Sequence, residues 1–277
     1  MMGGLKGLWQ RWGEPVRFLL WGLTVVLVCF LLYKIVVRCS TSHLVPLSEG
    51  TRDSLMTVAV PRGMSDTLLR YDAFDVHFNC RRGVANCAVY ELTEGELHGD
   101  AERAGEFMHH AGVEGCPLPT DYAGSGMDRG HLVPAADLKC SAQAMRQSFM
   151  MTNVCPMHKA LNEGGWAKLE EKVREWAARD SALLVFTGPV VDENGTAMAG
   201  SKVVLPGAYY KIVMAPCVRP VRVIAFIYPN GGSGGRLKQY AVSVDEVERR
   251  TGLDFFPYLS GNDQWIERVV NLDVWLN

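Results

Sequence analysis

Four consecutive residues, Asp128-Arg129-Gly130-His131, place a carboxylate, a permanent cation and a titratable imidazole side by side. A single histidine after Arg-Gly is more often a satisfied structural residue than a catalytic one, so its surroundings decide. In the stretch SGMDRGHLVPAAD the glycine lets a ligand come close to the backbone, and the side chains around it suit one kind of reaction. Cleaving a phosphodiester requires a base for the attacking water, positive charge for the phosphoryl oxygens and help for the departing alkoxide. His131 and Arg129 match the first two needs, and a metal ion the rest. Magnesium suits such a site because it takes oxygen ligands and keeps several waters, so one amide or carboxylate from the protein can hold it.

A second constellation, MTNVCPMHKALNEGGWAKLEEK, carries Asn153, Asn162 and Glu170. Asn162 and Glu170 are eight residues apart, about 80° around an ideal helix, so both can look toward one side. The alternative is that Asn162 caps a helix and Glu170 is a solvated charge.

Together, DRGH and the spacing N-x8-N-x3-W-x3-E resemble the DNA/RNA non-specific endonucleases of the ββα-metal superfamily, over about residues 71–259. LVFTGPV, LPGAYYKIV and VSVDEVERRTG are further matching stretches. The resemblance implies an α+β, ββα-metal nuclease fold with a central, mostly antiparallel sheet flanked by helices. It implies that His131 deprotonates water, that Asn162 is the one direct protein ligand of a hydrated Mg²⁺, with Mn²⁺ as a substitute, and that Glu170 stands behind that ion. Arg129, Asn153 and an upstream arginine, for which Arg103 in AERAGEF is the candidate, are implied near the scissile phosphate. Asp128 is implied to orient its neighbours, or it is a turn or cap residue. Many relatives carry Pro-Gln where this chain has Pro156-Met157 followed by His158, which removes one amide near the metal. The implied reaction is hydrolysis of DNA or RNA to 5′-phosphate ends with weak sequence preference, since contacts go to phosphate and not to base edges. Some relatives are dimers, which makes a homodimer an expectation here too. The rival expectations are a membrane-tethered nucleic-acid-binding module without catalysis and a phosphodiesterase acting on small nucleotides.

The elements that must carry these residues are legible in the hydropathy pattern. Strand-like patterns predict strands at 71–78 and 88–92, and apolar runs predict buried strands at 182–186, 208–214 and 221–227, the last two joined by a proline-containing turn at 216–220. The polar, glycine-containing stretch from Leu92 to Gly126 reads as loop and binding surface. Helical spacing predicts a short helix at 141–150 and a long one at 162–179, with Trp166, Leu169, Val173 and Trp176 on its core face. Ser243 and Glu246 form a capping box for a helix that Gly252 ends.

Outside the domain, FLLWGLTVVLVCFLLY and the residues after it give about the 20 apolar positions that a spanning helix needs. The expected organisation is a basic segment at 1–17, a transmembrane anchor at 18–38, a Ser/Thr/Pro-rich linker at 39–65 and an endonuclease domain at 66–277. That makes the chain a single-pass membrane protein with the domain on the exported side: periplasm, cell surface or mitochondrial intermembrane space. Residues 1–38 hold five of the 28 basic and one of the 30 acidic side chains, so the body carries six more acids than bases. A general affinity for polyanions is therefore excluded, and nucleic acid must be held by a local basic groove and a metal. Six of the eight cysteines lie in the body, and a staple between Cys80 and Cys87 across a hairpin is expected, with the other pairings open.

Overall fold

Along Ala182–Val190 the side chains of Leu183 and Val185 enter one apolar cluster, while those of Leu184 and Phe186 enter another. A strand buried on both faces has to behave this way, because successive side chains leave it on opposite sides. The computed structural model describes residues 21, 23–29, 45–192, 195–232, 234–259 and 261–276. The chain divides into two units, Met1–His43 and Leu44–Asn277. In the first, residues 23–29 are helical and exposed. The anchor expected at 18–38 falls mostly outside the described residues, and among those described no helix is long and apolar enough to cross a membrane.

The second unit opens with α1 (Glu49–Leu55), β1 (Val58–Ala59), β2 (Thr67–Arg70), β3 (Phe74–Asn79), β4 (Val84–Thr93), β5 (Asp128–His131), α2 (Ala142–Ser148) and β6 (Val154–Met157). It continues with α3 (Ala167–Asp180), β7 (Ala182–Val190), β8 (Ala208–Ala215), β9 (Arg222–Pro229), β10 (Ala241–Val242), α4 (Val244–Thr251), β11 (Asp254–Phe255) and α5 (Asp273–Leu276). Seven strands form one sheet in the order β10-β9-β8-β7-β4-β3-β2, each antiparallel to its neighbours. Helix α3 covers one face through Leu169, Val173, Trp176 and Ala177, and α4 covers the other through Val244 and Val247. Burying Leu169 or Val173 contributes roughly 1.5–3 kcal/mol each.

The α+β class and the antiparallel sheet agree with expectation, while several boundaries move. The strand expected at 71–78 is split: Tyr71 lies in a turn, its N–H donating to the carbonyl of Phe74, and Thr67–Arg70 pairs with Phe74–Asn79 as a hairpin. The capping box before α4 is half formed. Ser243 accepts from the Glu246 N–H, but the Glu246 carboxylate turns to Arg249 instead of back to the cap.

The Cys80–Cys87 staple is not there. The seven cysteines among the described residues are all free. Cys87 points into the cluster that α4 covers, and Cys80 packs against the cluster that α3 covers, so the two thiols leave the hairpin on opposite faces. Cys80 Sγ instead lies 2.9 Å from Ser65 Oγ.

Candidate active site

Sequence reading left Asp128-Arg129-Gly130-His131 without an assigned element. The run is a strand, too short and too polar to show a period-two pattern. It pairs antiparallel with Val154–Met157, Asp128 opposite Met157 and His131 opposite Val154, in a two-stranded ribbon separate from the main sheet. The chain then leads into the helical region, which gives the order strand, strand, helix. Gly130 is required by a close approach: a Cβ there would lie 2.7 Å from Met157 Cβ and 3.0 Å from its Cε.

Strand alternation puts Arg129 and His131 on one side of the ribbon, and both meet the Phe107 ring there. The Arg129 guanidinium carbon stands 4.7 Å from the ring centroid and the imidazole centroid 5.3 Å. A second ring, Phe149, meets His131 edge-on at 4.7 Å and carries the Arg103 guanidinium at 5.1 Å. Each of the two rings that meet the imidazole thus also carries a guanidinium on its face. His131 Nε2 is buried and has no hydrogen-bond partner among the described residues. Burial, and then the charge of Arg103, lower the imidazole to about 3. The ring is thus neutral at physiological pH, with a lone pair to offer and little basicity. An anionic phosphodiester drawn to the two arginines would offset the positive charge that depresses it.

The helix does not start at Asn162 as a capped helix would. Leu161–Trp166 forms a widened turn with a kink at Gly164, φ −107° and ψ −107°, before regular helix begins at Ala167. A glycine absorbs such a bend, and widened turns recur at functional sites. The kink frees the Asn162 side chain from capping and turns it to the ribbon, where Nδ2 donates to Asp128 Oδ2 at 3.0 Å. Asp128, Arg129 and Asn162 line an open cavity of about 570 Å³ with Phe107, Tyr122 and Met127.

With the Asn162 nitrogen turned to Asp128, the oxygen is the end of the amide that could take a cation. No group of three or more His, Cys, Asp or Glu among the described residues could hold a metal. That donor set fits a cation that keeps most of its waters, as Mg²⁺ does, and does not fit zinc.

Asn153 is placed differently from expectation. It is fully buried, its Oδ1 accepts from the Val133 N–H at 3.0 Å, and its Nδ2 donates to the carbonyls of Val133 and Ser148. Its amide faces backbone and not the cavity, clamping the segment that follows His131. His158 sits on the surface with its ring accepting from the Ala160 N–H, and makes no contact that replaces the missing Gln amide.

Glu170 belongs to a cluster that sequence reading missed. Burial raises its carboxyl well above the ordinary range, opposed chiefly by Lys211. Beside it, Asp137 accepts from Tyr90 Oη at 2.8 Å and from Arg174 at 2.9 Å. Two signals were available: Arg174 follows Glu170 by one helical turn, and Lys211 is a lone charge in the apolar strand AYYKIVMA. Phe107 and Phe149 carried no signal, since their role depends on loop packing.

The sequence pattern of the DNA/RNA non-specific endonuclease family matches residues 52–262. A nuclease from Nostoc sp. is 30% identical over 84% of this chain and 93% of its own length. The nuclease of Serratia marcescens is 28% identical over 74% of this chain and 82% of its own. The mouse mitochondrial nuclease EXOG is 28% identical over 69% of this chain, which spans 57% of the mouse protein. Among solved structures, a chain from the EndoG/EndoGI complex superposes with a TM-score of 0.65 at 20% identity, covering 70% of this chain and 87% of that one. That last likeness is one of fold.

Proposed function

Since the chain belongs to the DNA/RNA non-specific endonuclease family and is a nucleic-acid hydrolase, we propose that it is a Mg²⁺-dependent endonuclease that cuts DNA or RNA to 5′-phosphate ends. The observation that carries this reading is His131 Nε2, which has no hydrogen-bond partner among the described residues and belongs to a ring packed on the two aromatics that carry Arg103 and Arg129. Arg103 and Arg129 draw the scissile phosphate and stabilise charge on its oxygens. His131 Nε2 accepts the proton of the attacking water. Asp128 fixes the Asn162 amide so that its oxygen, with Glu170 behind it, holds the ion, and Asn153 keeps the His131 segment in place. The bound Mg²⁺, or Mn²⁺ in its stead, supplies charge at the phosphoryl and leaving oxygens.

Plasmid nicking with Mg²⁺ and with EDTA, by the native chain and by His131→Ala, tests the reading. Cleavage that requires the metal and is lost by about 10³-fold or more in His131→Ala supports it, in keeping with the loss of a general base and its geometry. A chain that never cuts DNA or RNA with any divalent metal refutes it. The acidic excess of the body favours one second reading, hydrolysis of small nucleotide phosphodiesters, which the same assay separates with a dinucleotide substrate.

The apolar run at 18–38 supports a membrane anchor, and the mitochondrial setting printed for several relatives supports the mitochondrial choice among the proposed compartments. Carbonate extraction that releases the full chain from membranes would rule the anchor out.

A further inference from the structure

Lys211 lies in the middle of Ala208–Ala215, a strand in which every residue is buried, and its own exposure is 0%. Its same-face neighbours, Tyr209 and Val213, belong to the apolar cluster beneath α3. An ammonium in such a place is costly unless a countercharge or hydrogen bonds offset it. Among the described residues Nζ has no hydrogen-bond partner, and the group it lies against is the Trp166 ring, 4.8 Å from Nζ to centroid. A cation over an indole face is attracted, but the ring carries no charge to balance it.

Two carboxylates act on the ammonium through space, neither within ion-pairing distance among the described residues. Asp137 is already bonded by Tyr90 and Arg174. Glu170 has no hydrogen bond or ion pair within direct contact among the described residues. Of all charges, Glu170 is the one Lys211 feels most strongly, and Lys211 the one Glu170 feels most strongly, with Asp137, Arg174 and, for Glu170, Arg103 behind. Trp166, Glu170 and Arg174 recur every four residues and so share one flank of the helix.

We infer that Lys211 is a positioning residue for the reaction: its buried ammonium, held beneath the Trp166 ring, is the countercharge that keeps the Glu170 carboxylate charged and in place. The inference rests on the function proposed above, in which Glu170 stands behind the ion held by Asn162. Without Lys211 the half-buried carboxylate would take up a proton or turn away, and the ion would lose its support while the arginines still bound the phosphate.

The test is Lys211→Met, which keeps the volume of the stem and removes the charge, combined with Glu170→Gln in a double-mutant cycle. In plasmid cleavage at saturating Mg²⁺, kcat of Lys211→Met falls at least tenfold while KM for DNA stays within twofold, and the double variant is no slower than Glu170→Gln alone. A kcat within twofold of native, or losses that multiply in the double variant, overturns the inference. If the native chain does not cut at all, the parent reading has failed, and the pair is read from urea unfolding instead. Glu170→Gln then shifts the midpoint in the native background and not in Lys211→Met; equal shifts in both overturn the pairing. If Lys211→Met alone does not fold, the charge-balanced double variant must, and its failure to do so counts against the inference.

Discussion

The side-chain amide of Asn162 donates to Asp128 Oδ2 at 3.0 Å, joining the kinked turn to the ribbon across 34 positions of sequence. The bond decides which end of the amide faces the cavity. Asp128→Ala should therefore raise the Mg²⁺ concentration needed for half-maximal cleavage by about 10–100-fold, the usual cost of losing a group that orients a metal ligand. Titrating Mg²⁺ in a nicking assay checks this, and an unchanged midpoint would mean that Asp128 does not orient the ligand.

Acid should destabilise the domain through His131. The folded chain holds this imidazole at about 3, against an ordinary value of about 6.5. The unfolded chain takes the proton first as pH falls, so the stability this neutral ring carries is present above about pH 6.5 and lost as pH falls toward 3. Between pH 7 and pH 4 the loss is on the order of 3 kcal/mol. His131→Phe, which suits a pocket already built from Phe107 and Phe149, should remove most of that difference in urea unfolding. A native chain that gains stability on acidification over this window contradicts the assignment.

Asn153→Ala separates a clamp from a phosphate contact. Losing the amide strands the Val133 N–H and two carbonyls in the interior, each worth about 1–3 kcal/mol if left unpaired. The melting temperature should fall by several degrees together with kcat. A rise in KM for DNA at an unaltered melting temperature would instead mean that Asn153 reaches the substrate.

Dithiothreitol should leave the urea midpoint of the domain unchanged. Cys80 and Cys87 lie on opposite faces of the sheet, and every described cysteine is free. A drop in midpoint on reduction would reveal a bridge that the fold does not predict.

Much of this architecture was legible in the sequence because a strand buried on both faces leaves an apolar run and a helix buried on one face leaves a period. LLVF, YYKIV and VIAF announce their strands, and Trp166, Leu169, Val173 and Trp176 announce their helix. The ribbon of Asp128–His131 was hidden because its four residues are polar or glycine and its partner carries a proline. The chemistry-bearing residues were found from type and spacing, whereas their arrangement depended on distant packing. Nothing near Asn153 in the sequence says that its amide is consumed by Val133 and Ser148. Nor does anything say that the arginines would reach His131 by way of Phe107 and Phe149, since those rings come from segments without periodicity.

Gly130 and Met157 occupy one another's space, and for an evolving sequence they behave as a single locus written in two places. Because the nearest atom is the Cβ that every residue but glycine carries, a side chain enters at 130 only if the two strands move apart or 157 itself becomes glycine. The order of substitution is thus constrained by geometry before selection on activity acts.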